Sequence, residues 1–326
     1  MALTADHFKA LIRRHMEGDD DGFYSVALQV AARAARQGKN RFAQDLRELI
    51  DSAKGEHAAP ALRPVPMVQP RGELAGLMAV SYPDVSLDMM TLLPEVLAKL
   101  ERILTEQRRS DLLATHGFDP IHRVLLLGPP GTGKSMSAAA LAHSLKRPLF
   151  TIQLDVVISK YMGETAAQLR LIFDAIASTR AVYLFDEFDA LGAERAVPND
   201  VGEARRVLNS FLQFLEHASP VSVIVAATNH PRLLDQALFR RFDQVIEYRL
   251  PDPAAAVAVM KNRLAMLDTE GVDWDALAQH ADGLSHADLV RAAEAAAKQT
   301  VLAEEETITA DALEMALRER HPGDDS

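Results

Sequence analysis

A glycine-rich segment in the middle of the chain has the residue types and spacing needed to bind phosphate. It reads Gly-Pro-Pro-Gly-Thr-Gly-Lys-Ser, follows the short β-rich run Arg123–Leu127 and opens a stretch rich in alanine and leucine. Glycines let successive backbone N–H groups turn toward phosphate oxygens, the lysine reaches the β and γ phosphates, and the hydroxyl can bind Mg²⁺. The residues that we predict to bind a nucleotide here are Gly128, Pro129, Pro130, Gly131, Thr132, Gly133, Lys134, Ser135 and Met136.

Two adjacent acids follow a second apolar run. Asp186 and Glu187 come directly after residues 181–185. Because ligands of α/β sheets bind at the carboxyl ends of the strands, these acids should face the phosphate loop. Alone, acids after a strand are more often a solvated loop. Beside the phosphate loop, we predict that Asp186 and Ser135 hold Mg²⁺ and that Glu187 polarises the attacking water.

A polar amide ends a third apolar run. Asn229 follows residues 221–226 through Ala227 and Thr228. Its amide could hydrogen-bond the nucleophilic water or the γ-phosphate. An asparagine before a turn is by itself usually a turn former. Its position beside the predicted site favours a catalytic role.

Strands and helices must alternate to place these residues at one edge of a sheet. Short β-rich runs and helical stretches do alternate between residues 84 and 251, which predicts an α/β domain with a five-stranded parallel sheet. From residue 252 to 326 only helical periodicity remains, which predicts a small all-α domain. The predicted strands are 123–127, 149–154, 181–185, 221–226 and 245–248, and the main helices between them are 134–144, 165–178 and 203–216.

The first quarter of the chain differs from the rest. Residues 1–54 show three amphipathic patterns with short connections, which predicts a small helical bundle. Such a bundle could be a solubilising cap or, as we favour, a docking module for clients or an adaptor. Residues 55–83 contain five prolines and no helical period, which predicts an extended linker.

Composition excludes several classes of function. The 326 residues include no cysteine, so disulfides, thiolate metal sites and cysteine nucleophiles are excluded. A net charge of −11 argues against a general nucleic-acid coat. No apolar run is long enough to span a membrane, and the amino terminus lacks the apolar core of a secretory signal. We therefore expect a cytoplasmic protein.

The chain resembles the founding AAA clade of the AAA+ ATPases over residues 84–320. The resemblance is carried by five motifs in order: GPPGTGKS, SKYMGET, LFDEFDA, AATNHPRLLDQALFRRFD and GLSHADL. It implies a P-loop NTPase fold with a helical lid, ATP as substrate and Mg²⁺ as cofactor. It also implies a homo-oligomer, typically a ring of six copies.

The resemblance assigns further residues. Arg240 and Arg241 match arginines that complete a neighbouring subunit's site, although without the resemblance we would favour an exposed basic turn or an internal salt bridge. Ala287 lies where this clade packs its lid against adenine, next to His286, an unusual residue at that position. The residues matching the first pore loop, which grips an extended polypeptide, are Lys160, Tyr161, Met162 and Gly163.

These features predict an ATP-hydrolysing unfoldase or remodeller that pulls client polypeptides through a central pore. No HExxH or GxSxG motif is present, so a partner peptidase would be a separate protein. Two alternatives stay open: a nucleic-acid motor and a nucleotide-dependent scaffold that changes shape without translocation. Against the first, no nucleic-acid-binding module can be identified in the sequence.

Overall fold

The computed structural model describes residues 69–70, 72–159, 165–191, 201–233, 236–305 and 307–321. The predicted N-terminal bundle, most of the predicted linker and the predicted pore loop lie outside these residues. The predictions made for them therefore stay predictions. The described residues belong to one compact unit that spans residues 68–326.

A six-stranded sheet lies at the centre of this unit. Its order is β1-β3-β4-β5-β2-β6, with β2 to β6 parallel and β1 antiparallel to β3. This arrangement, with helices on both faces, confirms the predicted α/β fold of the P-loop NTPase type. The strands are β1 (Met78–Ser81), β2 (Arg123–Leu127), β3 (Leu149–Ile152), β4 (Val182–Phe185), β5 (Val223–Thr228) and β6 (Gln244–Glu247).

Strand β1 differs from the prediction in two respects. The sheet has six strands and not five, and residues 78–81 are part of it although we predict linker for 55–83. Met78 lies opposite Ile152 and Ser81 opposite Leu149. A four-residue edge strand has only one neighbour and one buried face, so its apolar pattern is too short to separate it from extended linker. Pro83, which cannot donate to a ladder, lies two residues after the end of β1.

Eleven α-helices of the described residues surround or extend the sheet. Seven belong to the sheet domain and the last four form an all-α unit after residue 252. They are α1 (Pro94–Arg108), α2 (Ser110–Thr115), α3 (Lys134–Ser144), α4 (Leu154–Ser159), α5 (Thr165–Ser178), α6 (Val201–Glu216), α7 (Gln236–Phe239), α8 (Pro253–Arg263), α9 (Trp274–His280), α10 (His286–Leu302) and α11 (Ala310–Arg318).

The sheet is buried on both faces because its strands are apolar at nearly every position. In β2, Leu125 and Leu127 enter a core on one face, while Val124 and Leu126 enter a second core on the other. Each fully buried leucine or phenylalanine contributes about 1.5–3 kcal/mol. The two cores hold the strand ends, and therefore the site, in fixed positions.

Helices α8 to α11 have a core of their own. Leu289, Ala293 and Leu313 are fully buried in it. Helix α10 begins with a capping box, in which the Ser285 hydroxyl accepts from the backbone N–H of Asp288 and the Asp288 carboxylate accepts from the backbone N–H of Ser285. This box fixes the first turn of α10, which lies against the phosphate loop. Within the described ranges, no helix is long and apolar enough to cross a bilayer.

Candidate active site

The phosphate loop connects the end of β2 to the start of α3, and two of its three glycines are required by close packing. Gly128 has φ +146°, and a Cβ there would lie 2.4 Å from the carbonyl oxygen of Tyr248. Gly131 has φ +73°, and a Cβ there would lie 2.3 Å from the Ser285 hydroxyl oxygen. A side chain at either position would therefore clash, and both glycines have the positive φ that lets this backbone turn.

Lys134 lies across this loop. Its Nζ donates to the carbonyl oxygens of Gly128 at 2.8 Å and Pro129 at 2.7 Å. Burial lowers the pKa of Lys134, and the nearby charges of Asp186 and Asp189 oppose that shift. A poorly hydrated ammonium at a helix amino terminus provides strong electrostatic attraction for phosphate oxygens.

The predicted Mg²⁺ ligands meet at the edge of the sheet. The Ser135 hydroxyl, in the first turn of α3, donates to Oδ2 of Asp186 at 2.6 Å. The other carboxylate oxygen of Asp186 accepts from the backbone N–H of Glu187 at 3.0 Å. Mg²⁺ keeps waters and phosphate oxygens among its ligands, so one hydroxyl and one carboxylate fit this ion.

Glu187 follows in an unusual conformation. It is exposed and has φ +50°, in the left-handed region that costs a residue with a side chain about 1 kcal/mol. The conformation is held on one side by Asp186 and on the other by buried Phe188. The carboxylate of Glu187 is therefore accessible to water at the same strand end as the predicted Mg²⁺ ligands.

Asn229 lies between the acids and the phosphate loop. It is half-buried at the end of β5, which pairs with β4 on one side and β2 on the other. The preceding Thr228 accepts from the backbone N–H of Gly128 at 3.3 Å through its carbonyl oxygen. The structure thus places the predicted phosphate, metal, base and amide residues around one strand edge.

A cavity of about 460 Å³ adjoins the phosphate loop. The lid contacts the sheet domain there: the backbone N–H of Ala287 donates to the carbonyl oxygen of Gly131 at 3.0 Å, and Asn262 Nδ2 donates to Oγ1 of Thr91 at 3.2 Å. Methionine and valine side chains suit a flat purine base. The cavity is lined by Asp88, Met89, Met90, Thr91, Leu92, Thr132, Gly133, Met136, Val259, Asn262, Arg263, Ala265, His286 and Val290.

Sequence reasoning missed one wall of this cavity. The segment from Asp88 to Leu92 precedes α1 and carries no motif, and Met89 is exposed. Two adjacent methionines ahead of a proline-started helix are the only local signal. His286, on the opposite wall, has an Nδ1 that is buried with no hydrogen-bond partner in the described part of the chain. Burial lowers the pKa of His286.

Arg240 and Arg241, the predicted arginine fingers that would complete a neighbouring subunit's site, lie away from this site. Both arginines precede β6, and the phosphate loop follows β2, which is the parallel neighbour of β6. The arginines and the phosphate loop therefore lie at opposite ends of these strands, separated by a strand length of roughly 13–16 Å. Arg240 is exposed and makes no hydrogen bond or ion pair with any described residue. Arg241 pairs with Glu216 at the end of α6. Neither arginine can serve the phosphate loop of its own chain.

A carboxylate anchors the turn that carries these arginines. Asp243 accepts from the backbone N–H groups of His122 at 3.1 Å and Arg123 at 2.9 Å, and it pairs with the Arg123 guanidinium. Burial acts to raise the pKa of Asp243, but these hydrogen bonds outweigh burial and lower it overall. The turn is thus fixed to the start of β2.

Substituting Gly131 with alanine is expected to weaken ADP binding at least about tenfold, because the new Cβ must displace Ser285 and the lid turn. Gly117→Ala is the matched control, since Gly117 has φ +77° but no atom lies within 4 Å of the position that a Cβ would take. Both variants should lose some thermal stability, but only Gly131→Ala should lose affinity in isothermal titration with ADP. Equal affinities would contradict the packing described here.

Three comparisons with known proteins found similar sequences and structures. The family model described as "ATPase family associated with various cellular activities (AAA)" matches residues 124–250. The AAA family ATPase y4kL of Sinorhizobium fredii is 32% identical over 73% of this chain and 72% of that protein.

This chain spans only about half the length of two other relatives. Proteasome-activating nucleotidase of Pyrococcus horikoshii is 34% identical over 66% of this chain, which spans 56% of that protein. ATP-dependent zinc metalloprotease FtsH 3 of Sphaerobacter thermophilus is 35% identical over 67% of this chain and 46% of that protein. Among solved structures, the FIGL-1 AAA domain aligns with a TM-score of 0.60 and 25% identity, covering 76% of this chain and 87% of that domain.

Proposed function

Because this chain belongs to the AAA family of ATPases and hydrolyses ATP, we propose that it is a protein remodeller in which a ring of copies pulls client polypeptides through a central pore. The observation that carries the proposal is the separation of Arg240 and Arg241 from the phosphate loop of their own chain. Planar guanidinium groups stabilise charge on a transferring phosphoryl group, so these arginines would complete the site of a neighbouring copy.

The geometry supports a direct attack of water on the γ-phosphate. Glu187 accepts a proton from the water as its oxygen bonds to phosphorus and the bond to the ADP oxygen breaks. Asn229 orients the water, and Lys134 and a neighbour's Arg240 bind the phosphoryl oxygens. Ser135 and Asp186 would hold Mg²⁺, which would supply neutralisation of the phosphate charge.

Polypeptide is the substrate class that we propose for the ring. Tyr161 offers a flat apolar face and Met162 an adaptable one, which suits gripping an extended chain regardless of its sequence. A net charge of −11 disfavours nucleic acid as the transported polymer. We further propose six copies per ring, a cytoplasmic location, and recruitment of clients or an adaptor through residues 1–54.

A separate peptidase is the partner that the relatives' names suggest. One relative is named for activation of the proteasome, and another is named as an ATP-dependent metalloprotease. This chain carries no peptidase motif, so it would deliver unfolded clients to another protein.

Capture of clients by the Glu187→Gln variant tests the proposal. This variant should bind ATP without hydrolysing it and should retain clients from extract of the source cell, as identified by mass spectrometry. Adding Tyr161→Ala should release them while ATP stays bound. Captured nucleic acid would favour the motor alternative, and partners indifferent to both ATP and Tyr161 would favour a scaffold.

A further inference from the structure

A side-chain hydrogen bond joins two neighbouring strand ends beside the active site. The hydroxyl of Thr228, at the end of β5, donates to Oδ1 of Asp189 at 2.7 Å. Asp189 lies in a short 3-10 helix, Phe188–Leu191, within the connection that follows β4 and carries Glu187. Thr228 is 1% exposed, so this contact is shielded from bulk water.

We propose that the Thr228 hydroxyl is a positioning group for ATP hydrolysis, because its bond to Asp189 fixes the loop that carries Glu187 relative to the strand end that carries Asn229. The inference rests on the proposed catalytic roles of Glu187 and Asn229. Thr228 and Asp189 would hold Glu187 and Asn229 in position relative to each other. The residues that we predict to bind phosphate or Mg²⁺, and the arginine fingers, do not supply this function.

Thr228 contacts three parts of the site. Its hydroxyl also accepts from the backbone N–H of His230 at 3.0 Å, which fixes the turn just after Asn229. Its carbonyl oxygen accepts from the backbone N–H of Gly128 in the phosphate loop. One buried residue therefore links the phosphate loop, the acid loop and the amide.

The conformation of Glu187 indicates why such a link is needed. Glu187 has φ +50° and lies between two carboxylates that are each held by a hydroxyl, Asp186 by Ser135 and Asp189 by Thr228. A left-handed glutamate persists only where its surroundings determine it. Of these two contacts, the one from Ser135 ties the loop to α3, and the one from Thr228 ties it to the strand that bears Asn229.

A small displacement between Glu187 and Asn229 would be costly because both must face the same water molecule. A shift of about 1 Å in a reacting group can reduce turnover by around 100-fold. Losing the hydrogen bond from Thr228 to the Asp189 carboxylate should pass only part of its effect on to the position of the attacking water. We therefore expect about a tenfold loss in kcat.

Two substitutions of Thr228 separate the hydroxyl from the shape of the side chain. Thr228→Val keeps the shape and removes the hydroxyl, and Thr228→Ser keeps the hydroxyl. We expect Thr228→Val to lower kcat about tenfold with ADP affinity changed less than about twofold, and Thr228→Ser to retain at least about half of the wild-type kcat. Because Thr228 would act through Glu187, adding Thr228→Val to Glu187→Gln should cause no further loss of kcat.

A second pair of variants keeps the test decisive if Thr228→Val does not fold. Asp189→Asn retains an oxygen that can accept from Thr228, whereas Asp189→Ala does not, so kcat should fall further in the alanine variant. Unchanged kcat in Thr228→Val, or equal losses in Thr228→Val and Thr228→Ser, would overturn the inference. Wild-type kcat in both Glu187→Gln and Asn229→Ala would instead overturn the catalytic roles on which it rests.

Discussion

Replacing Glu187 with glutamine is expected to lower kcat for ATP hydrolysis by at least about 100-fold while ATP remains bound. The amide has nearly the size of the carboxylate but cannot accept a proton from the attacking water. The side chain of Glu187 is exposed. It takes no part in the hydrogen bond from Lys134 to the Gly128 carbonyl oxygen or in the one from Ser135 to Asp186. Nucleotide affinity should therefore change little.

Phosphate release and titration with a fluorescent ATP analogue would measure these two quantities separately. Glu247→Gln is a matched control, because Glu247 is an exposed glutamate at the end of β6, on the same edge of the sheet. It should hydrolyse ATP at the wild-type rate. If Glu187→Gln also kept most of its turnover, another residue would have to be the base.

Replacing Arg240 with alanine is expected to lower kcat by about 1,000-fold or more, the range found for arginine fingers. Arg240 is exposed and lies on the edge of the sheet opposite to its own phosphate loop, so its loss should leave ADP affinity unchanged. Steady-state hydrolysis and ADP titration would show this as a defect in kcat alone. A folded Arg240→Ala protein with normal kcat would exclude the finger role.

Arg102→Ala is the control for Arg240, since Arg102 is an exposed arginine on α1 and should be dispensable. Arg241 requires more care because it already pairs with Glu216 within the chain. Removing Arg241 therefore takes away a local ion pair as well as any contact with a neighbour. Glu216→Gln reports the local part, and only an additional loss in Arg241→Ala can be assigned to the neighbour's site.

The phosphate loop and the contact between Ser135 and Asp186 could be predicted because their information is local or follows from one topological rule. Gly128 to Ser135 are contiguous, and the close approaches of Tyr248 and Ser285 explain why two of the glycines are needed. The contact between Ser135 and Asp186 follows from the meeting of parallel strand ends at one edge.

Other features depend on packing between segments that are distant in sequence. Strand β1 is too short to be distinguished from linker, and its place at the edge is decided by pairing with β3. The cavity wall from Asp88 to Leu92 is defined by the lid that faces it. The bond between Thr228 and Asp189 joins side chains that could each have been ordinary turn residues. No local pattern encodes these contacts.

Mixing two inactive variants tests most directly whether ATP hydrolysis is completed between copies of the chain. Arg240→Ala copies keep Glu187 but lack the finger, and Glu187→Gln copies keep the finger but lack the base. When the two are combined at low concentration and then concentrated, an interface that takes Glu187 from one and Arg240 from the other is complete. Random mixing at equal amounts should restore about a quarter of the wild-type rate. A rate that equals the weighted mean of the two variants at every ratio would contradict a site shared between copies.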